Sequence, residues 1–155
     1  IVVGVGPGFT AGEDCHAVVE TMRGHTLGRV YYEGGAMPDT RVPGNIGGFT
    51  LERILRAPCA GTFKGVKKIG DLVIKGETCA YVDDKPVVSS LSGVLRGILP
   101  DGLAVYKGMK SGDVDPRCEL SHCYTVSDKA LAVGGGVLEA ILHLQTKEGY
   151  EWKRK

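Results

Sequence analysis

Sliding the sequence on itself by 32 residues lays Ala57–Asp83 over Ser89–Asp115 without a gap. Identities fall at Gly61/Gly93, Gly65/Gly97, Gly70/Gly102, Val73/Val105, Lys75/Lys107, Gly76/Gly108, Val82/Val114 and Asp83/Asp115, eight in 27 positions. Phe63/Leu95, Lys64/Arg96 and Val66/Ile98 are similar in kind. Such a recurrence means one supersecondary unit used twice. Each unit is expected to hold short strands, such as Thr62–Val66 and Leu72–Ile74, set apart by glycine turns. A unit this small cannot bury its apolar face alone. Two copies about a pseudo-twofold axis can cover each other.

The bulk numbers narrow the choices around that repeat. A chain of 155 residues with 43% apolar residues makes one domain or two small ones with a real core. Its 19 basic and 18 acidic residues leave a formal charge of +1, so nothing points to nucleic acid or an anionic membrane as partner. Twenty-four glycines argue for β bends and against a helical bundle. No apolar run reaches the ~18 residues that span a bilayer, and no signal peptide is visible. The five cysteines (15, 59, 79, 118 and 123) are odd in number and irregularly spaced, so they read as reduced cytoplasmic thiols. The opening Ile1-Val2-Val3-Gly4-Val5-Gly6 looks like a strand entered midway. The expectation is a C-terminal part of a longer protein, or a processed or recloned piece.

On the N-terminal side, a strand runs into Gly6-Pro7-Gly8, a loop whose backbone N–H groups can cradle an anion. Pro7 removes one of those donors. Strand-like runs follow at Ala17–Thr21 and Gly28–Tyr32, with Arg23-Gly24-His25 at or near a hairpin turn. Cys15, His16, Glu20, Arg23 and His25 crowd into eleven residues. A thiol beside His and Arg can have a depressed pKa and act as a nucleophile. Strand neighbours point to opposite faces, however, so a buried thiol among polar turn residues is the plainer alternative.

Residues 34–50 form a long turn-rich connection, and Leu51–Arg56 is again strand-like. After the repeat, Cys118, His122 and Cys123 raise the question of a metal, but no second ligand pair accompanies them, so none is assigned. Ser127 or Asp128 can cap a helix over Ala130–Leu144. Gly134-Gly135-Gly136 inside it cost roughly 1 kcal/mol each, which suggests close packing, a break or a ligand. Ser127, Asp128 and Lys129 at the helix start are a second candidate anion site. Residues 149–155 read as a basic tail.

The pattern Ala57-Pro58-Cys59-Ala60-Gly61, Gly70-Asp71-Leu72-Val73-Ile74-Lys75-Gly76 and Gly102-Leu103-Ala104-Val105-Tyr106-Lys107-Gly108 resembles the biotinyl/lipoyl-like barrel-sandwich hybrids. The expected fold is mainly β with some α. In it, such a module (57–116) is inserted in a small α/β flanking layer (1–56 and 117–148). Carrier domains of that kind modify a turn lysine, and Asp84-Lys85 resembles the lipoyl pair. Lipoylation or biotinylation of Lys85 is not expected. Pro86 follows directly, the stretch to Gly93 is short, and no Met-Lys-Met motif occurs.

Four further stretches carry a second resemblance. They are Gly6-Pro7-Gly8-Phe9; Glu20-Thr21 with Arg23-Gly24-His25 and Leu27-Gly28; Gly112-Asp113-Val114-Asp115-Pro116-Arg117; and the run from Ser127-Asp128-Lys129 through Gly134-Gly135-Gly136 to Ala140. Together they resemble the YqeB-like accessory proteins of selenium-dependent molybdenum hydroxylases. The resemblance implies a role in maturing the hydroxylase centre, with the hydroxylase or its maturation factors as partners. It also implies a Rossmann-type N-terminal half that is missing here. In that setting Cys15 is the candidate carrier of sulfur or selenium, Arg23 the holder of a phosphate or pterin-type anion, and His25 a proton carrier. His16 and Glu20 complete the candidate set, Gly6 and Gly8 join Ser127–Lys129 as ligand-binding candidates, and no cofactor is specified. The alternative is a non-catalytic docking module.

Overall fold

The structure, a computed structural model, describes residues 1–40 and 42–147, so the expected basic tail at 149–155 lies outside it. The chain folds mainly as β, with one C-terminal helix. It divides into two compact units, one built from residues before 42 and after 125, the other from 42–125.

The first unit holds β1 (Val3–Val5), β2 (Ala17–Val19), β3 (Val30–Tyr31) and the helix α1 (Asp128–Lys147). The sheet order is β1-β2-β3, parallel between β1 and β2 and antiparallel between β2 and β3. All three residues of β2 are fully buried, as a central strand covered on both faces requires. The helix, which packs on the sheet, starts where sequence places its cap: Ser127 Oγ accepts from Ala130 N–H at 3.2 Å. Its glycines do not break it. Gly136 is buried where a Cβ would collide with the Gly28 carbonyl and Val19, so it lets the helix approach closely. Gly134 and Gly135 face open space.

The second unit contains β4 (Ile54–Arg56), β5 (Gly61–Gly65), β6 (Leu72–Val73), β7 (Thr78–Val82), β8 (Lys85–Val88), β9 (Gly93–Ile98), β10 (Ala104–Val105) and β11 (Lys110–Asp115). They form two four-stranded sheets, β10-β5-β7-β8 and β6-β9-β11-β4, with every pairing antiparallel. An offset of 32 residues pairs β4 with β8, β5 with β9, β6 with β10 and β7 with β11, and turns one order into the other with β6 and β10, and β4 and β8, exchanged between sheets. The match extends to register. Leu72 faces Val94 as Ala104 faces Thr62, and Pro86 faces Tyr81 as Ile54 faces Asp113. The register irregularity at Thr78/Ala80 recurs at Lys110/Gly112. Phe63 N–H donates to the Leu103 carbonyl and Leu95 N–H to that of Asp71, both at 2.9 Å.

The core of this unit repeats with the fold: Phe63 with Leu95, Val73 with Val105, Val82 with Val114, Leu55 with Val87. Alternation along each strand sends these residues inward. Gly61 and Gly93 lie where a Cβ would meet Asp83 and Asp115 respectively, so both repeats need glycine for close strand approach. Lys85 opens β8 at a sheet edge, and Pro86 sits in that edge strand, where a missing N–H breaks no central ladder.

Removing either dyad-related core side chain is expected to cost similar stability, about 3–5 kcal/mol for Phe63→Ala and about 2–5 kcal/mol for Leu95→Ala. Exposed Val66→Ala is expected to change it by less than about 0.5 kcal/mol. Urea unfolding measures all three.

Candidate functional site

The parallel pair β1/β2 forces residues 6–16 to cross from one strand to the next, and this crossover carries Cys15 and His16. Asp14 Oδ1 accepts from Thr10 N–H at 2.9 Å and Gly12 N–H donates to the Cys15 carbonyl at 2.9 Å, which fixes the tight bend before β2. Cys15 turns inward and packs with Ala11 and Val18, while His16 turns outward. The His16 Nδ1 accepts from Val2 N–H at 3.0 Å, so a neutral imidazole here carries its proton on Nε2. Val2, Gly12, Glu13, Asp14, Cys15, His16 and Leu144 line an open hollow of about 400 Å³. The expected depression of the Cys15 pKa runs the other way. Burial pushes the thiol up, and its hydrogen bond with Asp14 adds to the rise. The hollow thus holds a protonated thiol beside the side chains of Glu13, Asp14 and His16.

The remaining candidates lie in other surroundings. Glu20 is fully buried at the end of β2. Its Oε1 accepts from Thr21 N–H at 2.8 Å and Met22 N–H at 2.7 Å, and its Oε2 from Met37 N–H at 2.9 Å. Burial alone would raise its pKa. These backbone donors and the Tyr31 hydroxyl outweigh it and hold the carboxyl below its ordinary value. Glu20 therefore ties two loops together and is a weak proton acceptor. Arg23 reaches the helix start, where its guanidinium grips Asp128 through Nη1–Oδ2 at 2.6 Å and Nη2–Oδ1 at 3.1 Å. This pair joins two residues that sequence reading had assigned to separate anion sites. His25 is exposed in the turn after Arg23, and Lys129 is half-buried. Gly6 has φ +81° and Gly8 φ +98°. The Gly6 N–H donates to the Val19 carbonyl at 2.9 Å, so that donor serves the sheet. Among the described residues no group of three or more His, Cys, Asp or Glu is placed to hold a metal.

Sequence reading missed a cluster in the second unit. Asp115, 2% exposed at the end of β11, accepts from Arg117 Nε at 2.9 Å and Nη2 at 2.6 Å, and from Arg96 Nη1 at 3.3 Å. The His122 Nδ1 lies 3.9 Å away. The Arg117 hydrogen bonds and charge, aided by Arg96, outweigh burial and lower the Asp115 pKa to about 2. Nearby, buried Arg53 holds Asp113 with one nitrogen at 3.1 and 3.3 Å from its two oxygens. The run Gly112–Arg117 was legible as a motif; its role as an anchor for the chain after β11 was not.

Two outcomes follow from these charge states. Because the folded pKa of Asp115 is depressed, its stabilisation is present above its ordinary value of 3.8 and is lost as pH falls toward about 2. The loss amounts to about 2 kcal/mol, and Asp115→Asn removes that part of the pH dependence in acid titrations of stability. Cys15 is expected to be alkylated by iodoacetamide at pH 8 more slowly than exposed Cys118; mass mapping that found Cys15 labelled first would contradict its burial.

No family model matches the chain. It is 53% identical, over 144 residues, to the uncharacterized protein YqeB of Escherichia coli (strain K12), a match covering 93% of this chain and 27% of that protein. The chain thus spans about a quarter of the length of the curated relative it matches. The crystal structure of a succinylglutamatedesuccinylase/aspartoacylase from Rhodobacter sphaeroides superposes with a TM-score of 0.33 at 18% identity, over 53% of this chain and 25% of that one, too slight a likeness to bear on fold or function. Over 93% of its length, then, the chain is similar to about a quarter of YqeB.

Proposed function

We propose that this chain is part of an accessory factor for the maturation of selenium-dependent molybdenum hydroxylases, and that it acts by docking the hydroxylase or another maturation factor. The motifs shared with that accessory family support the setting. The observation that carries the docking role is the state of the candidate nucleophile: Cys15 is buried and its thiol is pushed up, so it lacks the thiolate that sulfur or selenium transfer requires. Glu20 and Arg23 are held in structural bonds as well. In this reading the chemistry belongs to the part of the longer protein outside this chain, for which the family resemblance implies a Rossmann-type half.

The docking element is the 57–116 repeat, which we read as a biotinyl/lipoyl-like barrel-sandwich hybrid. The exchange of β6 and β10 between two sheets of matching register supports that reading. None of the five cysteines forms a disulfide, which supports a cytoplasmic location. No helix among the described residues is long and apolar enough to cross a membrane.

A second reading keeps Cys15 as a sulfur or selenium carrier, because it lines a hollow together with His16. Reconstituted hydroxylase maturation separates the two. Docking predicts that Cys15→Ser retains activity and that deleting residues 57–115 from the longer protein abolishes capture of its partner. Loss of maturation in Cys15→Ser with capture intact would transfer the role to the thiol.

A further inference from the structure

The module is symmetric in backbone and asymmetric in cover. On the second repeat, residues 116–125 lie against β9 and the turn before β6. Four contacts seat them. Arg117 grips Asp115, and the His122 carbonyl accepts from Arg96 Nε at 3.1 Å. The Tyr124 hydroxyl donates to the Ile69 carbonyl at 3.3 Å. Leu120 Cδ1 and Tyr124 Oη close over Gly70, 3.1 and 2.8 Å from where its Cβ would stand.

The 32-residue offset carries the Asp115 and Arg96 seats to the first repeat and the Gly70 seat to the second. Asp115 maps to Asp83, Arg96 to Lys64, and Gly70 to Gly102. An acidic, a cationic and a glycine position are all kept, and the strands that present them have matching register. Among the described residues nothing covers them. Gly102 has no heavy atom within 4 Å of its Cβ position. Lys64 and Asp83 are exposed, and Val66, the counterpart of half-buried Ile98, is 54% exposed. Asp83 uses Oδ1 to accept from Thr62 N–H at 2.9 Å. The next residue, Asp84, has a side chain 83% exposed and adds a second carboxylate at the hairpin tip, with Lys85 Nζ 3.8 Å from its Oδ2. Acceptors at one end, a glycine bed and an exposed valine describe the seat that 116–125 occupies on the other side.

We propose that the Asp83–Lys64–Gly102 face is a docking surface for a partner polypeptide segment built like residues 116–125, with an arginine for Asp83 and a leucine and an aromatic residue for the bed at Gly102 and Val66. The carboxylates select a cationic segment, and a guanidinium meets a carboxylate in two parallel bonds. Lys64, like Arg96, supplies a donor for a backbone carbonyl. This names the surface used in the docking role proposed above and rests on that role for its partner. The face itself can be tested without the partner.

The probe is a synthetic peptide of residues 116–125, added under reducing conditions to the full isotope-labelled chain and followed by amide shift changes. Expected are saturable changes centred on Thr62–Val66, Asp83 and Gly102. Asp83→Asn, which keeps the Thr62 bond and tolerates the φ of +50°, is expected to weaken binding about tenfold, as is a peptide with alanine for its arginine. Val66→Glu, a surface change, is expected to abolish it. Absence of changes at this face at millimolar peptide, changes confined to the Arg96–Gly70 side, or unaltered binding by both variants would overturn the proposal. Capture of the hydroxylase by the longer protein, retained in Val66→Glu, would then leave the docking role standing and remove only this face; loss of capture on deleting 57–115 tests the role separately.

Discussion

Each half of the module places its shortest strand in the other half's sheet, β6 against β9 and β10 against β5. These strands are two residues long and could not persist alone. Val73 and Val105 ride on them into a core that holds Phe63 and Leu95 from the opposite strands. The interlock makes burial in one repeat conditional on the other. It also sets what surrounds the core: the close approach at Gly61 and Gly93, the hairpin tip at Asp83, and the buried position of Asp115 that anchors the chain beyond β11.

The repeat was legible because its signals are local. Glycines at turns and inward valines survive at a fixed offset even where other residues have drifted. The exchange of strands was not legible, since two residues carry no period and register is a long-range property. The strand-like run Leu51–Arg56 divides into a short 3-10 turn at Leu51–Arg53 and the strand Ile54–Arg56, which adds to β11 and so joins the module's sheet. The helix could be read from its Ser127 cap, and the structure resolves the three glycines into one that packs and two that face open space.

The candidate site was legible as a crowd of residue types but not as an arrangement. Proximity of Cys15 to Arg23 in sequence suggested a lowered thiol pKa; in space Asp14 is the partner and burial dominates. Arg23 finds Asp128, 105 positions away, a pairing no local pattern announces. Glu20 reads as a catalytic carboxylate in an apolar run, yet backbone N–H groups from two loops converge on it. Glu20 and Arg23, chosen for their chemistry, are held in structural bonds here, which is what supports the proposal of a docking role for the module's surfaces.

Native-state hydrogen exchange tests the interlock most directly. The amides of Phe63 and Leu95, and those of Gly70 and Gly102, make equivalent bonds across the dyad. They are expected to show matching protection and to lose it together as denaturant rises, because opening one half uncovers the core of the other. Protection that persists in one member of each pair after the other has exchanged would show that the halves stand independently, and would contradict the account.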